Sequence, residues 1–580
     1  MLRIHLIGAP RLERDGEPVM QPRGAKTWAL IARVLRSESP VPRQRLVEEL
    51  FADANDPRAA LRWALAEARR STGLPNAFRG DPVIAGIESD AVVDVDEILQ
   101  ENGVSSASDG QFLEGITVRG APGFESWLLV ERQRLDGEIS SRLRQATLQA
   151  LSARSFDVAV DLANAMVRRT PYEEGPHVLL IKAMALSGDA DAAARQVVAS
   201  ETMFRDELGL EPSAALRNAA RPGVAASVPG VSSLASARSL LKAGLAAVSS
   251  GAVDAGIECL RRACSDAVQS GDASLAASCL VELGTALVHS IRGYDDEGAV
   301  VLADAIEAAS AGGDPLIGAK AWSELAYIDV LAGRRVSAET NLARAEALAS
   351  GDTALEATVA SFQAMNLSDW GRQDEAIEHF ERALELSRSA GLRRRETWTL
   401  GLGARAFSQA GRLEDAEQWA RQSIALAETD HWTAFIPWPS AWLADVELAK
   451  GRSPAEVRQE AEASFALARQ LQDPCWEGVS ARVIGLTYVA EGAGTTGLEW
   501  IERAGNWCMR VTDSYRWVET FIHLTEAEVA SEVGDTARAE AMARRAIAEA
   551  AAHQMDGLLA TGMDLLGSLT RVTPGVNPSQ

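Results

Sequence analysis

Residues 57–70, Pro-Arg-Ala-Ala-Leu-Arg-Trp-Ala-Leu-Ala-Glu-Ala-Arg-Arg, hold the arrangement of side chains in this 580-residue chain whose chemistry is easiest to name. Wound as a helix, they put Leu61, Leu65 and Ala68 on one face and Arg58, Arg62 and Arg69 on another, at offsets of 4 and 11. An apolar back with an arginine front is what entry into the DNA major groove requires. A guanidinium pairs bidentately with a guanine edge or holds a phosphate. Arginine-rich faces are also common on solvated helices, so the elements around this one decide its meaning. Signatures of catalysis are missing elsewhere. His5, His177, His289, His379, His431, His523 and His553 are too scattered for a metal or catalytic cluster, and there is no H-E-x-x-H or G-x-S-x-G. No G-x-x-x-x-G-K-[ST] is present, nor any Gly-Lys pair, so ATP-driven switching is not expected. The five cysteines show no C-x-x-C spacing and fit a reducing cytosol. No enzyme activity, metal or cofactor is expected.

Elements that could position the arginine helix flank it on both sides. Leu2–Ile7 reads as a strand, and a second strand from Arg11 reverses through Asp15-Gly16. One helix is expected over Lys26–Ser37, burying Leu30, Ile31, Val34 and Leu35, and a second over Arg43–Phe51, with Leu46, Val47 and Leu50 inward. The loop Ala52–Asp56 then leads to Pro57, welcome in a first helical turn, with Asn55 or Asp56 as the cap. Past the helix, Val83–Ile87 and Ala91–Val95 flank Glu88-Ser-Asp and are expected to pair as a hairpin, or wing. The order strands, three helices, hairpin is that of a small α+β winged helix.

Charge is divided to match. The net charge is -24, yet residues 1–80 carry 14 Lys/Arg against 9 Asp/Glu. Salt screens charge beyond ~8–10 Å, so a locally basic module can bind phosphate although its body is acidic. No stretch is long and apolar enough for a membrane span, and the first residues lack a signal-peptide core, so a soluble cytoplasmic protein is expected.

The remainder is organised by a repeat. Gly251, Gly293, Gly333, Gly371, Gly411, Gly451, Gly492 and Gly534 recur at intervals of 38 to 42. Small or apolar residues follow at +5, +9 and +12, as in Gly256/Leu260/Ala263, Ala376/Phe380/Ala383 and Gly497/Ile501/Ala504. These offsets form one helical face, and the small residue at +5 lets paired helices approach closely. After Gly451 the pattern slips, with Glu456 and Glu460 at +5 and +9, and Ser453-Pro454 implies a one-residue shift. An all-α solenoid of about eight helix pairs is expected, presenting an extended surface for binding. Nine of the fourteen tryptophans lie between Trp398 and Trp517. Trp432, Trp438 and Trp442 are candidates for a ligand or partner surface, although packing between long helices is the commoner use of such residues.

These motifs resemble known families. The repeat resembles the tetratricopeptide repeat, best in Gly371-Arg-Gln-Asp-Glu-Ala-Ile-Glu-His-Phe-Glu-Arg-Ala. Residues 1–100 resemble the OmpR-type winged helix of the actinomycete antibiotic regulatory proteins. The resemblance lies in Leu2-Arg-Ile-His-Leu-Ile-Gly, Pro42-Arg-Gln-Arg-Leu-Val-Glu-Glu-Leu-Phe, Arg58-Ala-Ala-Leu-Arg-Trp-Ala-Leu and Val93-Asp-Val-Asp. Residues near 110–220 resemble the bacterial transcriptional activation domain of the same family. The motifs there are Phe112-Leu-Glu-Gly, Phe124-Glu-Ser-Trp-Leu-Leu-Val-Glu-Arg, Pro176-His-Val-Leu-Leu-Ile-Lys-Ala and Phe204-Arg-Asp-Glu-Leu-Gly-Leu-Glu-Pro-Ser. The resemblance implies promoter binding, often at direct repeats, and assistance to RNA polymerase; since a lone winged-helix module binds weakly, paired copies on repeated half-sites are expected. It makes residues 57–71 the recognition helix, with Arg58, Arg62, Trp63, Arg69 and Arg70 toward DNA. Arg43, Arg45 and Arg79 would hold phosphate, and the loop with Asp53, Asn55 and Asp56 would meet polymerase.

The expected organisation is a winged helix over 1–100, an activation domain over 101–218, a linker over 219–233, the solenoid over 234–570 and a tail over 571–580. The expected function is a sequence-specific transcription regulator whose solenoid senses a protein or small-molecule effector. The alternative is a tetratricopeptide-type scaffold whose winged helix no longer binds DNA.

Overall fold

The computed structural model describes residues 1–87, 91–100, 110–209, 211–220, 234–510 and 515–572. Glu88-Ser-Asp, most of the expected linker and the expected tail lie outside them. The chain divides into two compact units, Met1–Ala146 with Asn164–Arg169, and Thr147–Ala163 with Thr170–Gln580. This division does not coincide with the boundaries expected at 100 and 219.

The first unit opens with strands β1 (Leu2–His5), β2 (Arg11–Arg14) and β3 (Glu17–Pro18). Asp15 and Gly16 both adopt positive φ, 52° and 87°, the primed turn that keeps a two-residue hairpin in twist. Helices α1 (Ala25–Leu35), α2 (Arg43–Leu50) and α3 (Pro57–Thr72) follow. Their apolar faces close over Leu30, Ile31, Leu46, Leu50, Leu61 and Leu65, all buried. Burial of such a side chain stabilises by ~1.5–3 kcal/mol. Asp56 caps α3, its carboxylate accepting the Ala59 amide at 2.9 Å, and Gly73 ends the helix in the left-handed region.

After α3 come β4 (Arg79–Gly80), β5 (Val83–Ile84), β6 (Ala91–Val93) and α4 (Asp94–Ile98). The hairpin differs from expectation. It is β4 with β5, turning through Asp81-Pro82, while β6 runs parallel to β1 and completes a sheet ordered β3-β2-β1-β6. A β-rich run satisfies its backbone against whichever edge is free, and β1 offered one. The Val93-Asp motif then explains itself. The buried Asp94 carboxylate accepts the Leu6 amide at 2.9 Å and the Ile7 amide at 3.0 Å, fastening β1 to α4. Burial raises the Asp94 pKa above the ordinary carboxylate value, against the pull of those amides.

Within the same unit Phe112 and Phe124 pack against Trp127 on α5 (Pro122–Ser152), with ring centroids 6.3 and 5.4 Å away. Arg132 holds the carbonyls of Phe112 and Leu113, each at 2.8 Å. Arg33 of α1 lies over the Trp127 ring at 5.1 Å, and Arg36 pairs with Glu131 at 2.9 Å.

The second unit contains α7 (Glu174–Leu186), α8 (Ala190–Leu208) and α9 (Ala214–Ala219), with α6 (Phe156–Arg169) divided between the units. Helix pairs follow as α10 (Leu234–Ser249) with α11 (Val253–Ser270), α12 (Ala273–His289) with α13 (Asp295–Gly312), and α14 (Pro315–Leu331) with α15 (Arg335–Ala349). They continue as α16 (Thr353–Trp370) with α17 (Gln373–Ser389), α18 (Arg393–Gln409) with α19 (Leu413–Thr429), and α20 (Pro437–Ala449) with α21 (Pro454–Leu471). The last are α22 (Pro474–Ala490) with α23 (Gly494–Cys508), α24 (Arg516–Glu532) with α25 (Thr536–Ala552), and α26 (Asp556–Val572).

All eight periodic glycines sit at positive φ, 74° to 102°, in the turn inside each pair, where an L side chain would be strained. The +5, +9 and +12 residues are buried in every pair except the one that turns at Gly451, and the close approach is literal. A Cβ on Gly497 would lie 2.6 Å from the Gly485 carbonyl oxygen, and one on Gly256 would lie 3.0 Å from that of Gly244. Helix α21 starts at Pro454 and buries Val457, Ala461, Ser464 and Ala468, the face displaced by one residue as Ser453-Pro454 implied. The turns between pairs carry a signal not anticipated from sequence. Asp272, Asp314, Asp352 and Asp473 each cap the following helix with their carboxylates.

Candidate functional site

On α3 the side chains of Arg58, Arg62 and Trp63 project into solvent, Trp63 being 55% exposed. Neither Arg58 nor Arg62 makes an ion pair or side-chain hydrogen bond among the described residues. A large aromatic beside two unpaired guanidiniums is an unusual surface for a helix to leave bare. Arg69 and Arg70 differ. Arg69 Nη1 donates to the Phe78 carbonyl at 2.9 Å, and Arg70 Nε donates to the Glu67 carboxylate at 2.8 Å. Arg69 thus ties α3 to the segment before the hairpin and Arg70 is engaged within the helix, uses that a helical wheel does not reveal.

The β4–β5 hairpin is pinned from α2. Arg43 Nε donates to the Gly80 carbonyl at 2.8 Å and the Arg43 amide to Asp81 at 3.0 Å. Arg79 remains exposed on β4. The Arg69 pKa is lowered, mainly by burial and further by the charges of Arg79 and Arg43. Three guanidiniums thus gather at the base of the hairpin, next to the open face of α3. Arg45 is exposed and reaches Glu49 at 2.7 Å.

In the loop before α3, Asp53 pairs with Lys26 of α1, and that contact holds its carboxyl below the usual range. Asn55 is exposed and Asp56 is occupied as the cap.

Two of the three tryptophan candidates lie in the core. Trp438 and Trp442 are 0% and 2% exposed, at the centre of the apolar core of the repeats. Trp438 Nε1 donates to the Gly401 carbonyl at 3.1 Å. The cleft beside Trp442, lined also by Asp445, Arg482 and Phe521, is too narrow for water. Trp432 is half-buried and stacks on Phe435 at 4.8 Å.

Sequence reading missed a buried ionic cluster in this core. Asp369 accepts from Arg335 at 3.0 Å, Arg405 at 2.6 Å and the Tyr515 hydroxyl at 2.8 Å, with all four residues buried. Glu519, His523 and Glu549 also converge, His523 Nδ1 lying 2.8 Å from Glu549. Arg516 and Arg545 neutralise those carboxylates at 2.9 Å each, which makes the group an internal ion network. Among the described residues no helix is long and apolar enough to cross a membrane.

Known proteins add to this picture. The bacterial transcriptional activator domain family matches residues 107–221, and the tetratricopeptide repeat family matches residues 374–429. No curated protein matches the chain. Among solved structures, the chain is similar to Mycobacterium tuberculosis EmbR in complex with a low-affinity phosphopeptide, at 17% identity and TM-score 0.29. That likeness spans 38% of this chain and 64% of EmbR, just under two thirds of the relative's length. A Rap protein complexed with competence and sporulation factor is similar at 11% identity and TM-score 0.41, over 58% of this chain and 98% of that one. A signal transduction ATPase with a tetratricopeptide repeat sensor, from Pyrococcus horikoshii, is similar at 14% identity and TM-score 0.39, over 77% and 69%. The chain therefore joins a bacterial transcriptional activator domain to tetratricopeptide repeats, the make-up of a regulator with a helical-repeat domain.

Proposed function

We propose that this protein is a sequence-specific transcription regulator whose first unit is a winged helix of the OmpR type. Its α3 reads promoter DNA in the major groove. The observation that carries the reading is the bare face of α3, where Arg58, Arg62 and Trp63 stand exposed with both guanidiniums unpaired among the described residues, beside a hairpin that presents Arg79. Arg58 and Arg62 contact base edges, Trp63 packs on sugar or a thymine methyl, and Arg79 and Arg45 hold phosphates. Arg43, Arg69 and Arg70 act mainly by fixing the hairpin and α3. The exposed Asn55, in the loop with Asp53 and Asp56, faces RNA polymerase. Two copies bind repeated half-sites, since one such module makes few contacts. The repeats sense a protein or small-molecule effector and bias promoter binding.

Salt dependence tests the reading. A protein that neutralises several phosphates loses affinity steeply between about 50 and 200 mM salt. Alanine at Arg58 or Arg62 costs about 1–3 kcal/mol and relaxes sequence preference. Binding that is flat with salt and indifferent to both substitutions would favour a protein scaffold in which the winged helix has become a docking module.

A further inference from the structure

An aromatic ladder runs along the inner layer of the repeats. Helices α12, α14, α16 and α18 pack directly on one another, whereas their partners α13, α15 and α17 touch one another little, so the first set forms the inner layer. At the end of α12, His289 stacks on Tyr327 of α14, with centroids 4.9 Å apart and planes at 27°. Tyr327 stacks in turn on Phe362 of α16 at 4.8 Å and 28°. Trp398 of α18 meets Phe362 edge-on at 5.6 Å. Phe362 is buried as the floor, while Tyr327 and Trp398 are half-buried walls.

Arg395 crowns this ladder, its guanidinium 4.8 Å from the Phe362 centroid and 5.4 Å from that of Trp398. The neighbouring charges are matched. Arg292 pairs with Asp473 at 2.6 Å, and Glu324 with His289 at 2.7 Å. Arg395 has no carboxylate within ion-pair distance among the described residues, and its one polar contact is Ser361 Oγ at 3.3 Å. The Tyr327 hydroxyl has no hydrogen-bond partner there either. Burial alone lowers the Arg395 pKa, with Glu324 and Tyr327 opposing it from a distance. A partly desolvated guanidinium without an anion is unfavourable by itself, and its fork is shaped for a planar carboxylate or a phosphate.

We propose that Tyr327, Arg395 and Trp398 are the receptor for the effector, an anionic ligand carrying one carboxylate or phosphate group beside an apolar ring. The acid pairs with Arg395 and accepts from the Tyr327 hydroxyl, and the ring packs against Trp398 and the edge of Tyr327. This rests on the reading of the repeats as a sensor and names its ligand class.

The test titrates the full-length protein with phenylacetate, phenyl phosphate and neutral 2-phenylethanol at constant ionic strength, with tryptophan fluorescence as the readout. At least one anion should give a saturable change, with 2-phenylethanol binding at least about tenfold more weakly. Comparing the two anions tells carboxylate from phosphate. Arg395→Met should weaken the preferred anion by about tenfold or more, and Tyr327→Phe, which keeps the ring, by about threefold. Arg395→Lys, which keeps the charge and loses the fork, should fall between wild type and Arg395→Met, and it serves as the test if the methionine variant does not fold. No saturation with either anion, equal binding of the neutral ring, or unchanged affinity in the Arg395 variants would overturn the proposal. Promoter binding is a separate measurement, so its failure would sink the regulator reading without deciding this one.

Discussion

Replacing Asp369 with asparagine should destabilise the C-terminal repeats by about 3–5 kcal/mol, the cost of leaving buried charges without their partner. Asp369 is the one carboxylate among the described residues that pairs with the two guanidiniums of Arg335 and Arg405, and all three side chains are fully buried. Asparagine keeps the volume but removes the anion, so two like charges would face each other in a core that excludes water. The cluster also reaches far along the chain, because the Tyr515 hydroxyl on Asp369 closes a contact between residues 146 positions apart. Tyr515→Phe provides the scale. It deletes a neutral hydroxyl that donates to Asp369 and accepts from Arg405 at 2.6 Å, leaves the ion pairs in place and should cost only about 1–3 kcal/mol. The assay is urea unfolding followed by tryptophan emission, since Trp517 lies 4.3 Å from the Arg405 guanidinium and reports on this region. Stacked repeats unfold in segments, so a local probe is needed. With a slope near 3 kcal/mol per molar urea, the Asp369→Asn midpoint should fall by about 1 M or more. A midpoint within about 0.3 M of wild type, or a smaller loss than Tyr515→Phe gives, would refute the reasoning.

Acid should weaken the same region through His553. Burial first, and then the guanidiniums of Arg516, Arg335 and Arg334, press its pKa down to about 3. Unfolded histidine takes up a proton near pH 6.5, whereas the folded one resists down to about 3, so stability is lost as pH falls through that window, by up to ~1.4 kcal/mol per unit. Urea midpoints between pH 7.5 and 5 should show the decline, and His553→Gln should shallow it, leaving the shares of His177 and His379, whose pKa values burial also lowers. Gly497→Ala should destabilise by about 1–3 kcal/mol, because the new methyl meets a carbonyl of the facing helix and overpacks the contact. In an exposed helix the same change would stabilise by up to ~1 kcal/mol through propensity, so the sign of the thermal shift decides whether α22 and α23 really touch there.

Much of the fold was legible because helical faces repeat locally. The +5, +9 and +12 residues predicted the buried stripe of each pair, and Ser453-Pro454 predicted the slipped face of α21. Pro57 and Asp56 likewise marked the start of α3. What escaped depends on partners distant in sequence. Ala91–Val93 was recognisable as a strand, but nothing in it distinguished a hairpin mate from the open edge of β1. Arg69 looked like Arg58 on the helical wheel until the Phe78 carbonyl came within 2.9 Å. Trp438 and Trp442 suggested either a ligand surface or a core, and only the packing of α18, α22 and α24 around them separates the two. The Pro/Gly/Ser-rich stretch after Ala219 marked a break in periodicity but not the compact units, since α7, α8 and α9 group with the repeats. The Asp369 cluster left no trace, its members lying on three separate helices and in the turn before a fourth.

The central claim, that α3 reads DNA, is tested most directly by recovering genomic fragments with the purified protein and with an Arg58→Ala/Arg62→Ala variant. The account predicts recurrent fragments sharing a repeated motif for the wild type, and loss of that enrichment in the variant. Fragments without a shared motif, or the same enrichment from both proteins, would contradict it.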